Sequence, residues 1–324
     1  MSFNNTYQPV ALSRDIPHKK PVRAWYQNKP VVLFRNNKLV AAYDDYCPHR
    51  GAPLSEGFIR GEQIHCAYHG WRFDCKSGFN TFSPVKNAPI DCKLKPVYVV
   101  EKYNIIWLSH DETASLPGLI NDIPSIITSG LIKAKAANIV ENFLEGSHTH
   151  YVHDGWVRSK GHTRQQINAE MVPAPDGFKV YYSPEKARGF LTRLLPGKYQ
   201  LLTPVTTYIY PGTTILEYFN QERKLISRFE GIISESENAC IFFARIFMNF
   251  GVASALVAFF SKFFFHKIIA QDIKILEMQD RNLKYYPDRK FISDETDVVG
   301  QQIFAWLYDR SKIVPGPLHF KVFW

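Results

Sequence analysis

Short apolar runs separated by turn-forming residues mark the first hundred positions of the chain. Asn36 and Asn37 lie between two of these runs, and asparagine tolerates the left-handed backbone of a tight hairpin turn. Glycine and proline recur every few residues in the stretch that follows, which is typical of a small all-β domain with functional loops. The predicted strands are 31–34, 39–43, 97–100 and 105–108.

The second half of the chain combines strands with one strongly helical segment. From about 250 to 285, apolar residues such as Ile269 and Ile273 recur at three- to four-residue spacing, which predicts a long helix. Strands followed by a helix indicate an α+β domain. The other predicted elements are a helical segment at about 137–152, a turn at 211–212 and strands at 178–183, 199–210, 213–219, 225–234 and 239–248.

A stretch rich in turn-forming residues, from Ser109 to about Gly130, separates these two patterns. A chain of 324 residues is long enough for two domains of roughly 150 residues each. We therefore predict one domain at 1–115, with its core at about 20–110, and a second domain at 116–324.

Composition narrows the class of protein. With 45% hydrophobic and 21% charged residues, the chain is an ordinary folded protein and not a disordered one. Five cysteines are too few and too unevenly placed for a disulfide scaffold, and the first residues lack the apolar core of a signal peptide. We therefore expect a cytoplasmic protein whose cysteines are thiols or metal ligands.

The net charge of +9 raises the question of an anionic partner. Because the basic residues are spread along the chain without a run of five, nucleic acid is a poor candidate and an acidic electron-carrier protein fits better. The longest uncharged apolar stretch, at 246–261, is shorter than the ~20 residues of a spanning helix. It is either a buried element of the core or a helix resting on a membrane surface.

Two loops carry the strongest chemical signal. Cys47-Pro48-His49 and Cys66-Ala67-Tyr68-His69 each place one cysteine and one histidine in a region rich in glycine and proline. Thiolate and imidazole together suit either zinc or a [2Fe–2S] cluster with mixed ligands. Zinc sites more often have two cysteines on one loop, whereas a mixed cluster needs two cysteines on one iron and two histidines on the other.

A second set of candidate ligands lies in the second domain. His148 and His153 follow the predicted helical segment, and two histidines with one carboxylate can hold a ferrous ion with open positions. Asp272 lies on the apolar face of the predicted long helix, where a carboxylate is costly without a cation to pair with. Glu277 and Asp280 are alternative sources of that carboxylate.

The residues around both cysteines identify a family. CPHRGAPLSEG at 47–57 and CAYHGWRFD at 66–74 resemble the Rieske iron–sulfur domain of Rieske non-haem iron oxygenases, over about residues 20–110. The resemblance implies that Cys47, His49, Cys66 and His69 bind a [2Fe–2S] cluster. The Rieske proteins of respiratory chains add a cysteine to each loop, but residues such as Tyr68 occupy those positions here.

The segment from Glu141 to His153 resembles the mononuclear iron motif of the same oxygenases. The resemblance implies that His148, His153 and Asp272 bind this Fe(II) ion. In the family an aspartate three residues before the first histidine links a Rieske histidine of one subunit to an iron-bound histidine of its neighbour. Glu145 takes that position here, and we expect it to act as the electron-transfer bridge between subunits.

The same resemblance implies an architecture and an activity. The second domain is expected to have an antiparallel sheet and a long C-terminal helix, of the helix-grip (START-like) type. The chain is then a terminal oxygenase that uses O2 and forms a head-to-tail homotrimer. Because it contains no dinucleotide-binding fingerprint, its electrons must come from NAD(P)H through a separate ferredoxin or flavin reductase.

The length resembles that of stand-alone oxygenases, such as vanillate O-demethylase and the pheophorbide oxygenases, rather than that of ring-dihydroxylating subunits. We therefore predict monooxygenation, hydroxylation or oxidative demethylation of a mostly apolar, ring-containing substrate. Candidate lining residues are Phe143, Leu144, Tyr151 and Phe247. Two alternatives stay open, namely a Rieske electron-transfer protein without a mononuclear iron and a sterol or pigment oxygenase at a membrane surface.

Overall fold

The computed structural model of the chain describes residues 6–37, 39–157, 165–186, 201–236, 239–249 and 254–323, without the side chains of 254–258 and 260. The chain divides into two compact units, Ser2–Asn121 and Asp122–Trp324. The sequence places the boundary after residue 115.

Where the structure describes it, the first unit consists of three small antiparallel sheets, as the sequence predicts for an all-β domain. The predicted turn after Asn36 is present, and Asn37 has a φ of 55°, in the left-handed region. The sheets have the orders β1-β10-β9, β2-β3-β4 and β5-β6-β7-β8. Their strands are β1 (Gln8–Leu12), β2 (Val22–Tyr26), β3 (Lys29–Asn36), β4 (Leu39–Asp44), β5 (Phe58–Arg60), β6 (Gln63–His65), β7 (Arg72–Asp74), β8 (Asn80–Phe82), β9 (Tyr98–Lys102) and β10 (Ile105–Ser109).

In its described residues the second unit has an antiparallel sheet of nine strands and three α-helices, which confirms the predicted α+β class. Eight strands follow the order β11-β18-β17-β16-β15-β13-β12-β19, and β14 pairs with β15. The strands are β11 (Ile126–Ile132), β12 (Gln166–Ala174), β13 (Gly177–Tyr182), β14 (Glu185–Lys186), β15 (Leu201–Ile209), β16 (Thr213–Phe219), β17 (Leu225–Ser236), β18 (Ala239–Met248) and β19 (Leu318–Phe323). The helices are α1 (Ala136–Leu144), α2 (Ser254–Leu283) and α3 (Val298–Tyr308).

The three helices cover apolar residues of the large sheet. Val140 of α1, Leu276 of α2 and Ile303 of α3 belong to one core with sheet residues such as Val180 and Phe242. Burial of this apolar surface is the main stabilising contribution to such a unit. The arrangement leaves α1 and α2 next to each other at the site described below.

Three predicted elements differ from the structure. The helical segment expected to reach residue 152 ends at Leu144, and a 3-10 helix covers Ser147–His150. The last residues of the expected linker form β11, which pairs with β18. The apolar stretch 246–261 is not one element, because β18 ends at Met248 and α2 begins at Ser254, while residues 250–253 lie outside the described part. None of the described helices is long and apolar enough to cross a membrane.

A buried ion-pair network joins three neighbouring strands of the large sheet. Glu230 of β17 and Arg245 of β18 face each other in the strand register, both fully buried, with Oε2 and Nη1 2.5 Å apart. Arg228 donates from Nε to Glu230 Oε1 at 2.8 Å and from Nη1 to Glu217 Oε1 at 2.7 Å. Two arginines therefore balance two carboxylates, as buried charges require.

Candidate metal centres

The four ligands predicted for the cluster lie on two loops of the first unit. The loop between β4 and β5 carries Cys47 and His49, and the loop between β6 and β7 carries Cys66 and His69. Backbone hydrogen bonds from Cys47 to Ala52 and from Cys66 to Trp71 hold both loops in tight turns. The two thiols are buried, and the two imidazole rings lie 4.6 Å apart between centroids.

The chemistry of these side chains fits a [2Fe–2S] cluster. Burial and the adjoining Cys66 thiol raise the pKa of Cys47 to about 11, so the thiolate needs a compensating cation such as iron. Burial and the nearby His69 lower the pKa of His49, which favours the neutral imidazole that binds metals. Nδ1 of His49 is buried and has no hydrogen-bond partner among the described residues, as expected of a metal-binding atom.

The two histidines of this site differ in their surroundings. The ring of His49 is stacked on Trp71, with 4.7 Å between centroids and 8° between planes. His69 is exposed and lies against the ring of Tyr68. Within this unit, His69 is therefore the candidate ligand whose side chain a group outside the unit can contact.

In the second unit three predicted ligands converge. Ligand atoms of His148, His153 and Asp272 all lie within 4.8 Å of one another. Nε2 of His153 is 3.0 Å from Oδ1 of Asp272, and Nε2 of His148 is 3.6 Å from the same atom. The 3-10 helix after α1 supplies His148, the following turn supplies His153, and α2 supplies the carboxylate.

Hydrogen bonds on the far side of each ring fix how these histidines face the site. Nδ1 of His148 lies 2.5 Å from Oε1 of Glu145, and Nδ1 of His153 lies 3.0 Å from Oε1 of Gln271. An Nδ1–H donated to an oxygen leaves Nε2 of the neutral ring free for a metal. The set of donors fits a two-histidine, one-carboxylate iron site.

The charges around the site fit a cation in the same way. Oδ1 of Asp272 is buried and accepts no hydrogen bond within the described part of the chain. A metal ion bound to this oxygen would offset the free-energy cost of burying it without a partner. Burial alone would lower the pKa of His148, but the hydrogen bond and charge of Glu145 raise it. Burial alone would raise the pKa of Glu145, but hydrogen bonds from His148 and Ser147 lower it, so this carboxylate is ionised.

The alternative carboxylates on α2 are engaged elsewhere. Glu277 accepts a hydrogen bond from the backbone N–H of Lys133, and Asp280 forms an ion pair with Lys284 at 2.9 Å. Gln271, in contrast, contacts His153 of the site, although the sequence pattern does not predict a role for it. Its position next to Asp272, on a helix that covers a core, is the signal that could have identified it.

A cavity of about 220 Å³ adjoins the three converging residues. Phe143 and Leu144 line it as predicted, whereas Tyr151 is 67% exposed and Phe247 lies over Arg245. The wall is predominantly apolar, with Thr206 and Glu230 among its few polar members. Further lining residues include Ile132, Leu216, Tyr218, Phe229, Phe265, Ile268 and Ile273.

A separate groove of about 740 Å³, lined by both polar and apolar residues, lies along α1 and also reaches Glu145. Glu141, one helical turn before Glu145, borders this groove with Asn138 and Asp297. Burial and the charges of Glu145 and Asp297 raise the pKa of Glu141 to about 7. Two carboxyl groups four residues apart therefore do not both ionise readily at neutral pH.

Comparisons with known protein families cover both units. Residues 6–101 match the Rieske [2Fe-2S] domain, and residues 132–307 match the vanillate O-demethylase oxygenase C-terminal domain. The second match alone covers more than half of the chain.

Individual relatives agree with these family matches. The chain is 25% identical over 323 residues to the vanillate O-demethylase oxygenase subunit of Pseudomonas sp. (strain HR199 / DSM 7063), an alignment that covers 90% of each protein. It is 31% identical over 180 residues to 4beta-methylsterol monooxygenase of Methylococcus capsulatus, covering 50% of this chain and 46% of that protein.

A solved structure shows the same fold. The crystal structure of dicamba monooxygenase bound to 3,6-dichlorosalicylic acid superposes with a TM-score of 0.77 at 21% identity. The superposition covers 93% of this chain and 95% of that one.

Proposed function

The chain belongs to the Rieske oxygenases whose catalytic domain is of the vanillate O-demethylase type, and from this premise we propose that it oxidises an apolar, ring-containing substrate beside His148, His153 and Asp272. It is the terminal oxygenase of a demethylase or monooxygenase system with a [2Fe–2S] cluster and a mononuclear iron. The alternative of a Rieske electron carrier without a second metal site is not favoured, because the catalytic-domain match covers 132–307.

One observation carries the proposal. Ligand-type atoms of His148, His153 and Asp272 converge at the wall of a predominantly apolar cavity. Burying an apolar ring there is favourable, and the cavity is the default place for the substrate. We assign these three residues as ligands of the mononuclear iron and Cys47, His49, Cys66 and His69 as ligands of the cluster.

Different residues of the chain have different roles in the proposed reaction. When bound, the two metal centres supply stored electrons and the activation of dioxygen. Glu145 and Gln271 hold the Nδ1 protons of His148 and His153, so that both Nε2 atoms stay directed at the metal position. The apolar wall holds the substrate next to them and keeps water away from it.

Electrons reach this class of oxygenase from a separate reductase. We propose that an acidic ferredoxin or flavin reductase, oxidising NAD(P)H, is steered to this chain by its net charge of +9. Rates of reduction by the reductase should then fall steeply as salt is raised, since screening weakens steering. A rate that is flat from low to high salt would contradict steering.

We also propose a head-to-tail homotrimer in which Glu145 links the iron site of one subunit to the cluster of the next. Its carboxylate already accepts the hydrogen bond of His148 within the chain. A heterologous interface repeated three times closes into a ring. Sedimentation should therefore give a trimer, and a fully active monomer would contradict this arrangement.

Metal analysis tests the central proposal. The purified enzyme should contain about three iron atoms and two acid-labile sulfides per chain, against about two of each for a simple carrier. Replacing His148, His153 or Asp272 with alanine should abolish turnover and leave the visible spectrum of the cluster unchanged. Coupled oxygen consumption and product formation by these variants would refute the assignment. A substrate screen scored by product mass then separates hydroxylation from demethylation.

A further inference from the structure

Helix α2 has two faces with different surroundings. One face borders the cavity through residues such as Phe265, Ile268 and Asp272. The other face is turned away from the cavity and is exposed to solvent. Its residues are three, four or seven positions apart and therefore form one stripe along the helix. This stripe, here called the outer face of α2, comprises Phe259, Lys262, Phe263, His266, Lys267 and Lys274.

Two large aromatic side chains stand out on the outer face. Phe259 is 75% exposed and Phe263, one turn later, is 77% exposed. Keeping two neighbouring phenylalanines in water is unfavourable, and such adjacent exposed apolar groups mark an interaction surface.

The charge of the outer face has one sign. Lys262, Lys267 and Lys274 are exposed beside the two aromatic rings, and Lys267 also lies over the ring of Trp156, 3.6 Å from its centroid. The sequence contains no aspartate or glutamate from residue 238 to residue 271. The first acidic residue after this stretch, Asp272, lies on the cavity side of the helix.

We propose that the outer face of α2 binds the surface of a membrane that contains anionic lipids. Phenylalanines on one face of a helix bury themselves at the boundary between headgroups and acyl chains, while neighbouring lysines attract anionic headgroups. Two copies that met through this same face would set its lysines against one another, so a symmetric contact between copies fits it less well.

This contact does not depend on the reaction at the iron site. If the proposed function also holds, the helix that touches the lipid is the helix that lines the substrate cavity, so that an apolar substrate dissolved in the membrane lies close to the enzyme. Membrane binding and catalysis can therefore be tested separately.

Co-sedimentation of the intact, cluster-containing enzyme with vesicles tests the proposal. Vesicles of phosphatidylglycerol and phosphatidylcholine should bind the protein, and vesicles of phosphatidylcholine alone should bind it at least tenfold more weakly. Phe259→Ser with Phe263→Ser should lower binding at least tenfold. Each of Lys262→Gln and Lys274→Gln should lower it about fivefold.

Matched controls test whether vesicle binding depends on the outer face of α2 or on any exposed apolar or positively charged side chain. Ile123→Ser with Ile292→Ser removes two other exposed apolar side chains, and Lys29→Gln with Lys321→Gln removes two other exposed charges. Both control proteins should bind vesicles like the unaltered enzyme. All variants should keep the cluster spectrum and the turnover of a water-soluble substrate.

Three results would overturn the proposal. The first is equal binding to neutral and anionic vesicles, and the second is vesicle binding that survives the double phenylalanine replacement. The third is a change of oligomeric state in that variant with vesicle binding unchanged, which would identify the outer face as an interface between copies. Loss of turnover with intact vesicle binding would instead count against the proposed function alone.

Discussion

Nδ1 of His153 lies 3.0 Å from Oε1 of Gln271, the residue that immediately precedes Asp272 in α2. One turn of this helix therefore provides both a carboxylate of the proposed iron site and the acceptor that orients a histidine of the same site. His153 is almost fully buried, so its ring has no water to replace that acceptor.

Replacing Gln271 with leucine should weaken iron binding about 10- to 100-fold, because His153 loses the hydrogen bond that fixes its tautomer and its orientation. Competition with a chelator measures the affinity, and the cluster spectrum reports on the rest of the protein. Gln279→Leu, an exposed position on the same helix, is the matched control. If both variants hold iron equally well, Gln271 has no role in orienting His153.

Glu145→Ala should slow the oxidation of the reduced cluster by substrate and O2 at least tenfold, because the proposed bridge to the neighbouring subunit is lost. Glu145→Asp restores the residue type of the family and should retain more of the rate. Single-turnover absorbance of the pre-reduced enzyme measures this step. Cluster oxidation that proceeds at the normal rate in the alanine variant would remove Glu145 from the electron path.

Glu230→Leu should destabilise the catalytic unit by about 3–5 kcal/mol, since Arg228 and Arg245 would then be buried without their shared carboxylate. Denaturant titration gives the free energy of unfolding. Glu222→Leu removes an exposed carboxylate that pairs with Lys224 and should cost less than about 1 kcal/mol. If the two replacements lower the free energy of unfolding equally, the buried network contributes no more to stability than an exposed ion pair.

Glu141 gives a prediction for pH. Its pKa rises from 4.5 to about 7 on folding, so the folded chain holds this proton more tightly than the unfolded chain does. The resulting instability is absent below pH 4.5 and fully present above pH 7. Glu141→Gln should therefore stabilise the protein by about 1–3 kcal/mol at pH 8, with a smaller gain at pH 5.

Denaturant titrations at both pH values, with Glu222→Gln as an exposed control, measure the effect. A gain for Glu141→Gln that is the same at pH 5 and pH 8 would show that ionisation of this carboxyl is not its source.

Local patterns predicted those elements whose signals lie close together in the sequence. The β3–β4 hairpin follows from two apolar runs around asparagines, and the long helix follows from its apolar spacing. Strand β12 was not predicted because its buried positions include the small Ala169 and its run contains Pro173, which together obscure the alternation. Its partner β19 lies about 150 residues away, and pairing at that separation leaves no local signal.

In the candidate site, too, the sequence predicted some features and not others. The spacing of the cysteines and histidines, read with the family resemblance, selected the residues that the structure brings together. Sequence periodicity could not show that α1 ends at Leu144, where extended backbone at Glu145 is followed by a 3-10 helix. That change of direction places Glu145 against Nδ1 of His148.

His148 and Asp272 stand at the two ends of a stretch of chain that holds strands β12 to β18. Strands β11 and β19, at the margins of the large sheet, are outside that stretch. An ion bound by both His148 and Asp272 would link the two ends of this segment, as a disulfide links the two ends of a loop. An ion bound there would therefore also link the two ends of the interior strands, and its removal would be expected to lower the stability of the sheet as well as the activity.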